Sequence, residues 1–275
     1  MVNKSEWQGS SGETWAAEWR RTDRSFSHLT ERLLQCTRDF SFRNVLDVGC
    51  GAGELALAIA RGRPDVTVTG VDVSPQLVAV AQERGAHLAN LSFELADAAQ
   101  WRCAQQPGPD LLVSRHGVMF FDDPPSAFAN LAKQATTPAS LLFSCFRAPS
   151  ENPFFTEVLR LLPVAPPPAD PDAPGPFAFA DQDRVIPILR VGGWENIAFE
   201  QVDFPMIVGA GDDPVDEAVS YFARIGPAAR AAAEMDAGAR ERFFGRIRDL
   251  ASRNCRDGMV TLPAAAWIVS ATKVA

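Results

Sequence analysis

The sequence lacks the features that mark membrane, secreted and nucleic-acid-binding proteins. None of its apolar runs approaches the ~18 residues that a transmembrane helix requires, and its first residues contain no apolar stretch of the signal-peptide kind. Its 26 basic residues are outnumbered by 34 acidic residues, which gives a formal charge of -8, and no cluster of Lys or Arg is dense enough to hold a phosphate backbone. We therefore expect a cytoplasmic protein with no membrane span and no nucleic-acid partner.

Signatures of disulfides and of metal sites are missing as well. The five cysteines are odd in number, and none belongs to a C-x-x-C pair, which is typical of reduced, buried thiols. The three histidines, His28, His87 and His116, are far apart in the chain and show no ligand spacing. The sequence therefore predicts reduced cysteines and no metal site.

One stretch carries a cofactor signal. An apolar run ends at Val48, glycines follow at positions 49, 51 and 53, and apolar residues at helical spacing come next, so the pattern predicts a strand, a tight turn and a helix start. Glycine permits a positive φ and lets a ligand approach the free N–H groups of the helix closely. A dinucleotide-binding turn would need a third glycine where the chain has Glu54, and a carboxylate is a poor neighbour for a pyrophosphate. The turn therefore disfavours a nicotinamide-dependent oxidoreductase.

Two acids follow the next predicted strands. Residues 66–72 are rich in β-branched side chains and end on Asp72, and residues 91–95 form a further strand that precedes Asp97. An acid placed like Asp72, downstream of a glycine turn, can accept both hydroxyl groups of a ribose. A solvated strand-end role for Asp72 and a turn-capping role for Asp97 remain open.

These motifs together resemble those of class I S-adenosylmethionine-dependent methyltransferases. The glycine turn resembles their first motif, and residues 113–124 and 172–181 resemble a bacterial ubiquinone/menaquinone-type group that acts on small molecules. The resemblance implies an α/β fold with a doubly wound, mostly parallel seven-stranded sheet. It also implies S-adenosyl-L-methionine as cofactor, S-adenosyl-L-homocysteine as product, and methyl transfer to an O, N or C atom of a small-molecule acceptor. A non-catalytic protein that binds either cofactor form is the alternative.

The resemblance also assigns parts of the cofactor to residues of this chain. The glycine turn would hold the methionine portion, Asp72 the ribose and Asp97 the adenine amine, and the Arg115 backbone would border the sulfonium end. The predicted cofactor-binding set is Asp47, Gly49, Cys50, Gly51, Gly53, Asp72, Val73, Leu77, Asp97, Ala98 and Arg115.

The predicted chemistry needs few catalytic groups. S-adenosylmethionine already carries an activated methyl group, so the protein mainly orients the reactants and excludes water, and a base is needed only when the acceptor must lose a proton. His116 is the first candidate base, followed by His28 and then Asp122. Since relatives more often have an aromatic residue at the position of His116, a packing role for this histidine stays open. The aromatic residues predicted to contact the substrate are Trp15, Trp19, Phe120, Phe154, Phe177 and Phe179.

Composition and periodicity divide the chain into four parts. Residues 1–40 predict one or two amphipathic helices with a break at 23–25, either as a lid or as a helix packed on the sheet. Residues 41–147 form the cofactor-binding core. The proline-rich segment 148–181 is predicted to be a substrate cap, with its proline cluster in neither helix nor strand. Residues 182–275 are predicted to complete the sheet and to add helices.

Overall fold

The computed structural model describes residues 4–164, 170 and 173–273. The strands are β1 (Asn44–Val48), β2 (Thr67–Asp72), β3 (Leu91–Leu95), β4 (Leu111–Arg115), β5 (Ala139–Phe146), β6 (Glu195–Ala210), β7 (Cys255–Arg256) and β8 (Met259–Lys273). The helices are α1 (Lys4–Gln8), α2 (Ser10–Ala17), α3 (Trp19–Ser25), α4 (Ser27–Cys36), α5 (Glu54–Gly62), α6 (Pro75–Gly85), α7 (Pro124–Gln134), α8 (Pro153–Arg160), α9 (Gln182–Val191), α10 (Pro214–Arg224), α11 (Pro227–Ala233) and α12 (Ala237–Arg253). No helix within these described residues is long and apolar enough to cross a membrane.

The eight strands in the described part of the chain belong to one sheet. Its order is β3-β2-β1-β4-β5-β8-β6, and β7 pairs with β8. The first five strands are parallel, whereas β8 runs antiparallel to both β5 and β6. This confirms the predicted mostly parallel α/β sheet, with the two-residue β7 as an addition. The chain leaves β1 towards β2 on one side and returns to β4 on the other, and a parallel sheet opens a crevice at such a switch point.

Local sequence explains the elements around this crevice. In β1 the side chains of Val45, Leu46 and Val48 are buried, because helices cover both faces of a parallel sheet. Ser74 caps α6 by accepting the N–H of Leu77, and a proline occupies the first turn, as the sequence predicts. This cap fixes where the turn between β2 and α6 ends and the helix begins.

The N-terminal and proline-rich segments contain more helix than predicted. Residues 4–36 form four short helices, and the break predicted near residues 23–25 lies at Phe26, between α3 and α4. In the predicted cap, α8 begins at Pro153, where proline is tolerated because a first-turn N–H has no partner within the helix. The prolines at 166–168 and 171 lie outside the described residues. Helix α11 is a further addition that the periodicity did not indicate.

Aromatic side chains fill part of the core. Trp194 is fully buried and donates its indole N–H to the carbonyl of Phe128 at 3.2 Å. Phe179 is also fully buried and packs against Phe128 and Phe143. The prediction that Phe179 contacts a substrate is therefore wrong, because its ring fills the core and does not line the cavity described below.

Candidate cofactor and substrate site

A cavity of about 1820 Å³ opens at the carboxyl ends of the parallel strands. One half is bordered by the glycine turn, by the loops after β2, β3 and β4, and by α1, α2, α3 and Phe26. The other half is bordered by α8, by residues 173–178, and by α10 and α11. Chains of this fold bind ligands at this edge of the sheet, so the cavity is the candidate site.

The glycines of the turn have different tasks. All three have a positive φ, but a side chain added at Gly51 would meet no atom within 4 Å, whereas at Gly49 it would come within 2.8 Å of Gly117. At Gly53 it would come within 2.7 Å of the Phe93 ring. Only Gly49 and Gly51 line the cavity. Gly53 therefore makes room for core packing and caps α5, and its predicted contact with the cofactor is not what the geometry favours.

Two carboxyl groups stand beside the turn, that of Asp47 buried and that of Asp72 partly buried. Asp72 accepts the N–H of Gly51 at 2.8 Å and that of Ser74 at 2.9 Å. Asp47 accepts the N–H of Ala56 at 3.1 Å, and burial raises its pKa to about 7. Burial also raises the pKa of Asp72, which its backbone hydrogen bonds partly oppose. Both side chains line the cavity, so both combine a structural contact with a position at the candidate site.

Asp97 is held from two sides. Its carboxylate accepts the Ala99 N–H at 2.9 Å and forms a 2.6 Å ion pair with Lys4 at the start of α1. The turn-capping role that the sequence left open is therefore real. Asp97 also lines the cavity together with Ala98, so a ligand amine at this carboxylate would meet Lys4 as a neighbour.

The other predicted cofactor residues surround these acids. Cys50, Val73, Leu77 and Arg115 line the cavity. The side chain of Arg115 points towards the N-terminal helices, where it donates to the Thr30 hydroxyl at 2.7 Å. Only the backbone of Arg115 was considered at the sequence level, and its guanidinium group is a feature that the strand pattern does not indicate.

The two histidines proposed as bases have different surroundings. His116 has a positive φ, stacks on the Phe146 ring at 4.1 Å between centroids and is buried. Burial lowers its pKa to about 3, and its Nε2 atom is buried with no hydrogen-bond partner in the structure. His28 is exposed and lies outside the cavity lining, so the structure gives it no contact with the site. Asp122 does line the cavity.

Four of the six predicted substrate aromatics line the cavity: Trp15, Phe120, Phe154 and Phe177. Trp19 is absent from that lining because its ring packs under the guanidinium group of Arg84, 3.8 Å from the ring centroid. The aromatic lining that the sequence pattern did not indicate includes Trp7, Phe26, Phe146, Tyr221 and Phe222. These residues come from separate helices, strands and loops, so no single periodic pattern in the sequence identifies them.

Comparisons with known proteins address the same region. Residues 45–138 match a family described as a methyltransferase domain. The trans-aconitate 2-methyltransferase of Methylobacterium radiotolerans is 37% identical over 81 residues, which cover 30% of this chain and 29% of that protein. The 23S rRNA (uracil(747)-C(5))-methyltransferase of Citrobacter koseri is 30% identical over 89 residues, which cover 32% of this chain and 23% of that protein. The matched region thus spans about a third or less of the curated relatives' length.

A solved structure extends the comparison to the whole chain. Phosphoethanolamine N-methyltransferase 2 from Haemonchus contortus, in complex with S-adenosyl-L-methionine, superposes with a TM-score of 0.57 at 15% identity, covering 100% of this chain and 61% of that chain. At this identity the match speaks for the fold. The sheet order agrees with that fold, and residues 45–138, which include the glycine turn, are similar to a methyltransferase domain.

Proposed function

We propose that this protein transfers the methyl group of S-adenosyl-L-methionine to a small, largely apolar acceptor. The observation that carries the proposal is that the glycine turn, the strand-end acids and an aromatic chamber all line one continuous cavity. Methyl transfer needs the methyl carbon on the sulfonium and the acceptor atom to be aligned and in contact. The region that binds the cofactor and the region that binds the acceptor must therefore adjoin each other. The continuous cavity supports such an arrangement.

The residues at the turn fit the cofactor. The open space at Gly51 leaves room for a ligand against the backbone. Gly49 and Gly51 would hold the methionine portion, Asp72 the ribose hydroxyls and Asp97 the adenine amine. When bound, S-adenosylmethionine supplies an activated methyl group, and the task that remains for the protein is orientation and exclusion of water.

The other half of the cavity suits an apolar acceptor. Its lining includes Phe146, Phe154, Phe177, Met206 and Phe222, and aromatic walls favour flat or hydrophobic molecules. We propose that helices α1 to α4 act as a lid and that the segment 148–181 acts as a substrate cap. Both segments contribute cavity-lining residues, and enclosure by both would leave little room for a macromolecular acceptor.

Among the two roles considered for His116, the geometry favours packing. A base works best when its pKa lies near the operating pH, and burial holds the pKa of His116 at about 3. The ring lies against Phe146 and edge-on to Phe26. The variant His116→Phe should therefore retain turnover within about threefold of the wild type. The dependence of kcat on pH should also be the same in the two proteins. A loss of turnover above a hundredfold with cofactor affinity preserved would identify His116 as the base.

The proposed function is tested by label transfer. The protein is incubated with S-adenosylmethionine labelled in the methyl group and with a cell extract, and the products are separated by size. Label in small, organic-extractable molecules is the expected result. Label in RNA or protein would overturn the acceptor class, whereas tight binding of S-adenosylhomocysteine without any label transfer would favour the non-catalytic alternative.

A further inference from the structure

Four charged side chains from different elements meet beside the glycine turn. Asp23 on α3 and Glu54 at the start of α5 each form an ion pair with Arg84 on α6, at 2.8 and 2.7 Å. Asp23 also faces Arg115 at the end of β4, at 3.4 Å. The N-terminal helices are thus tied by Asp23 to both sides of the candidate cofactor site.

Only two members of this cluster border the cavity. Asp23 and Arg115 line it, whereas Glu54 and Arg84 do not. Each of these two lining residues also contacts a residue outside the cavity lining. Asp23 forms an ion pair with Arg84, and Arg115 donates to the Thr30 hydroxyl at 2.7 Å. The direct contact between Asp23 and Arg115 is longer than either anchoring contact. A carboxylate and a guanidinium group are therefore presented side by side to a ligand.

The local charge is unbalanced in a way that a cationic group would correct. Asp47 also lines the cavity and interacts electrostatically with Arg115, so within the described part of the chain the carboxyl groups of Asp23, Asp47 and Glu54 lie near two guanidinium groups, those of Arg84 and Arg115. Burial raises the pKa of Asp23 to about 6, and the negative charge of Glu54 contributes to this shift. A ligand ammonium group would relieve this cost, because an opposite charge favours the ionised carboxylate.

We propose that Asp23 and Arg115 form a clamp for the amino-acid end of the cofactor, with Asp23 binding its α-ammonium group and Arg115 its α-carboxylate. The inference rests on the proposed function and adds a specific reader of the cofactor from the N-terminal helices. A guanidinium group suits a carboxylate through paired N–H donors, and both contacts are charge-assisted. The clamp would select cofactor forms that carry an intact amino acid.

The test compares ligands with and without that amino acid. Calorimetry measures the binding of S-adenosylhomocysteine and of 5′-methylthioadenosine, which lacks the amino-acid group, to the full-length protein and its variants. Asp23→Asn should weaken binding of S-adenosylhomocysteine by about ten- to a hundredfold and change binding of 5′-methylthioadenosine by less than about twofold. Arg115→Gln should weaken binding of S-adenosylmethionine but leave binding of its decarboxylated form within about twofold.

The control variant loosens the same helix without touching the clamp. Arg24 on α3 pairs with Glu217 on α10 at 2.9 Å, and neither residue lines the cavity. Arg24→Gln should leave the preference for S-adenosylhomocysteine over 5′-methylthioadenosine unchanged. If Asp23→Asn weakens both ligands equally, as a general lid defect would, the clamp is refuted while the proposed function stands. If the wild-type protein binds neither ligand, the proposed function fails and the clamp falls with it.

Discussion

The carboxylate of Asp72 at the end of β2 accepts a 2.8 Å hydrogen bond from the backbone N–H of Gly51 in the turn after β1. Its other oxygen accepts the N–H of Ser74 at the start of α6. One partly buried side chain therefore fixes the glycine turn and the next helix relative to each other. The contact across the switch point of the sheet couples the geometry of the turn to the group proposed to bind the ribose.

Replacing Asp72 with alanine should weaken binding of S-adenosylhomocysteine by at least tenfold. The variant loses the proposed ribose contact and the support of the turn together, and a hydrogen bond to a charged group is worth roughly 1.5–3 kcal/mol. Calorimetric titration of wild type and Asp72→Ala measures the difference.

Asp110 provides a matched control for this variant. Its carboxylate accepts the backbone N–H groups of Arg43 and Asn44 at 2.9–3.0 Å. This contact lies at the amino ends of β1 and β4, away from the carboxyl ends that border the cavity. Asp110→Ala should lower the melting temperature yet leave the dissociation constant of S-adenosylhomocysteine unchanged. A near-normal dissociation constant for Asp72→Ala would remove Asp72 from the cofactor site.

Gly51→Ala should abolish high-affinity cofactor binding while costing about 1–2 kcal/mol of stability. The stability cost arises because an L-residue is strained at the φ of +55° that Gly51 adopts. The binding cost arises because the new methyl group would project into the cavity space beside the turn.

Gly258→Ala separates these two effects. Gly258 lies in the turn between β7 and β8, has a φ of +75°, and likewise has no atom within 4 Å of an added Cβ. It lies outside the cavity lining, so its variant should lose similar stability in urea unfolding and bind the cofactor normally. Normal binding by Gly51→Ala would show that the ligand does not approach this backbone.

The ion pair between Lys4 and Asp97 makes two variants informative. Asp97→Ala should weaken binding of S-adenosylhomocysteine about three- to tenfold, because the adenine amine loses its acceptor. Lys4→Ala should change it less than about threefold, since a partly exposed ion pair contributes little. Binding of the inosine analogue, which lacks the exocyclic amine, should be insensitive to Asp97→Ala. Equal losses for both nucleosides would mean that Asp97 only shapes the turn.

The strands and the glycine turn could be predicted from the sequence because neighbouring residues determine them. The alternation of small and apolar residues from Val45 to Gly53 specifies a buried strand and a turn at once, and Ser74 with Pro75 marks a helix start. Residues 182–275 complete the sheet as predicted, and β8 continues through Pro263 as far as residue 273. That proline sits opposite Pro205 in β6, where neither residue has an N–H to donate.

The clustering of distant side chains could not be predicted in the same way. The sequence places Asp23 at the predicted break between amphipathic helices, and only the packing of α3 against the turn brings it to Arg84 and Arg115. Trp19 and Phe179 have the composition of a pocket wall but pack elsewhere. Burial of an aromatic ring against the core or against a ligand depends on tertiary contacts that a single sequence does not encode locally.

The raised pKa of Asp47 predicts a specific dependence of stability on pH. Burial holds this pKa at about 7 in the folded protein, against an ordinary value of 3.8. Between these values the folded state retains a proton that the unfolded state has lost, so the free energy of unfolding falls by about 1.4 kcal/mol per pH unit as the pH rises towards 7, and then levels off.

Asp47→Asn keeps an oxygen acceptor for the Ala56 N–H and removes the ionisation. The wild type should therefore lose about 3 kcal/mol relative to this variant between pH 5 and pH 8 in urea unfolding, measured without cofactor. A difference between the two proteins that stays constant across this range would show that Asp47 ionises freely in the folded state.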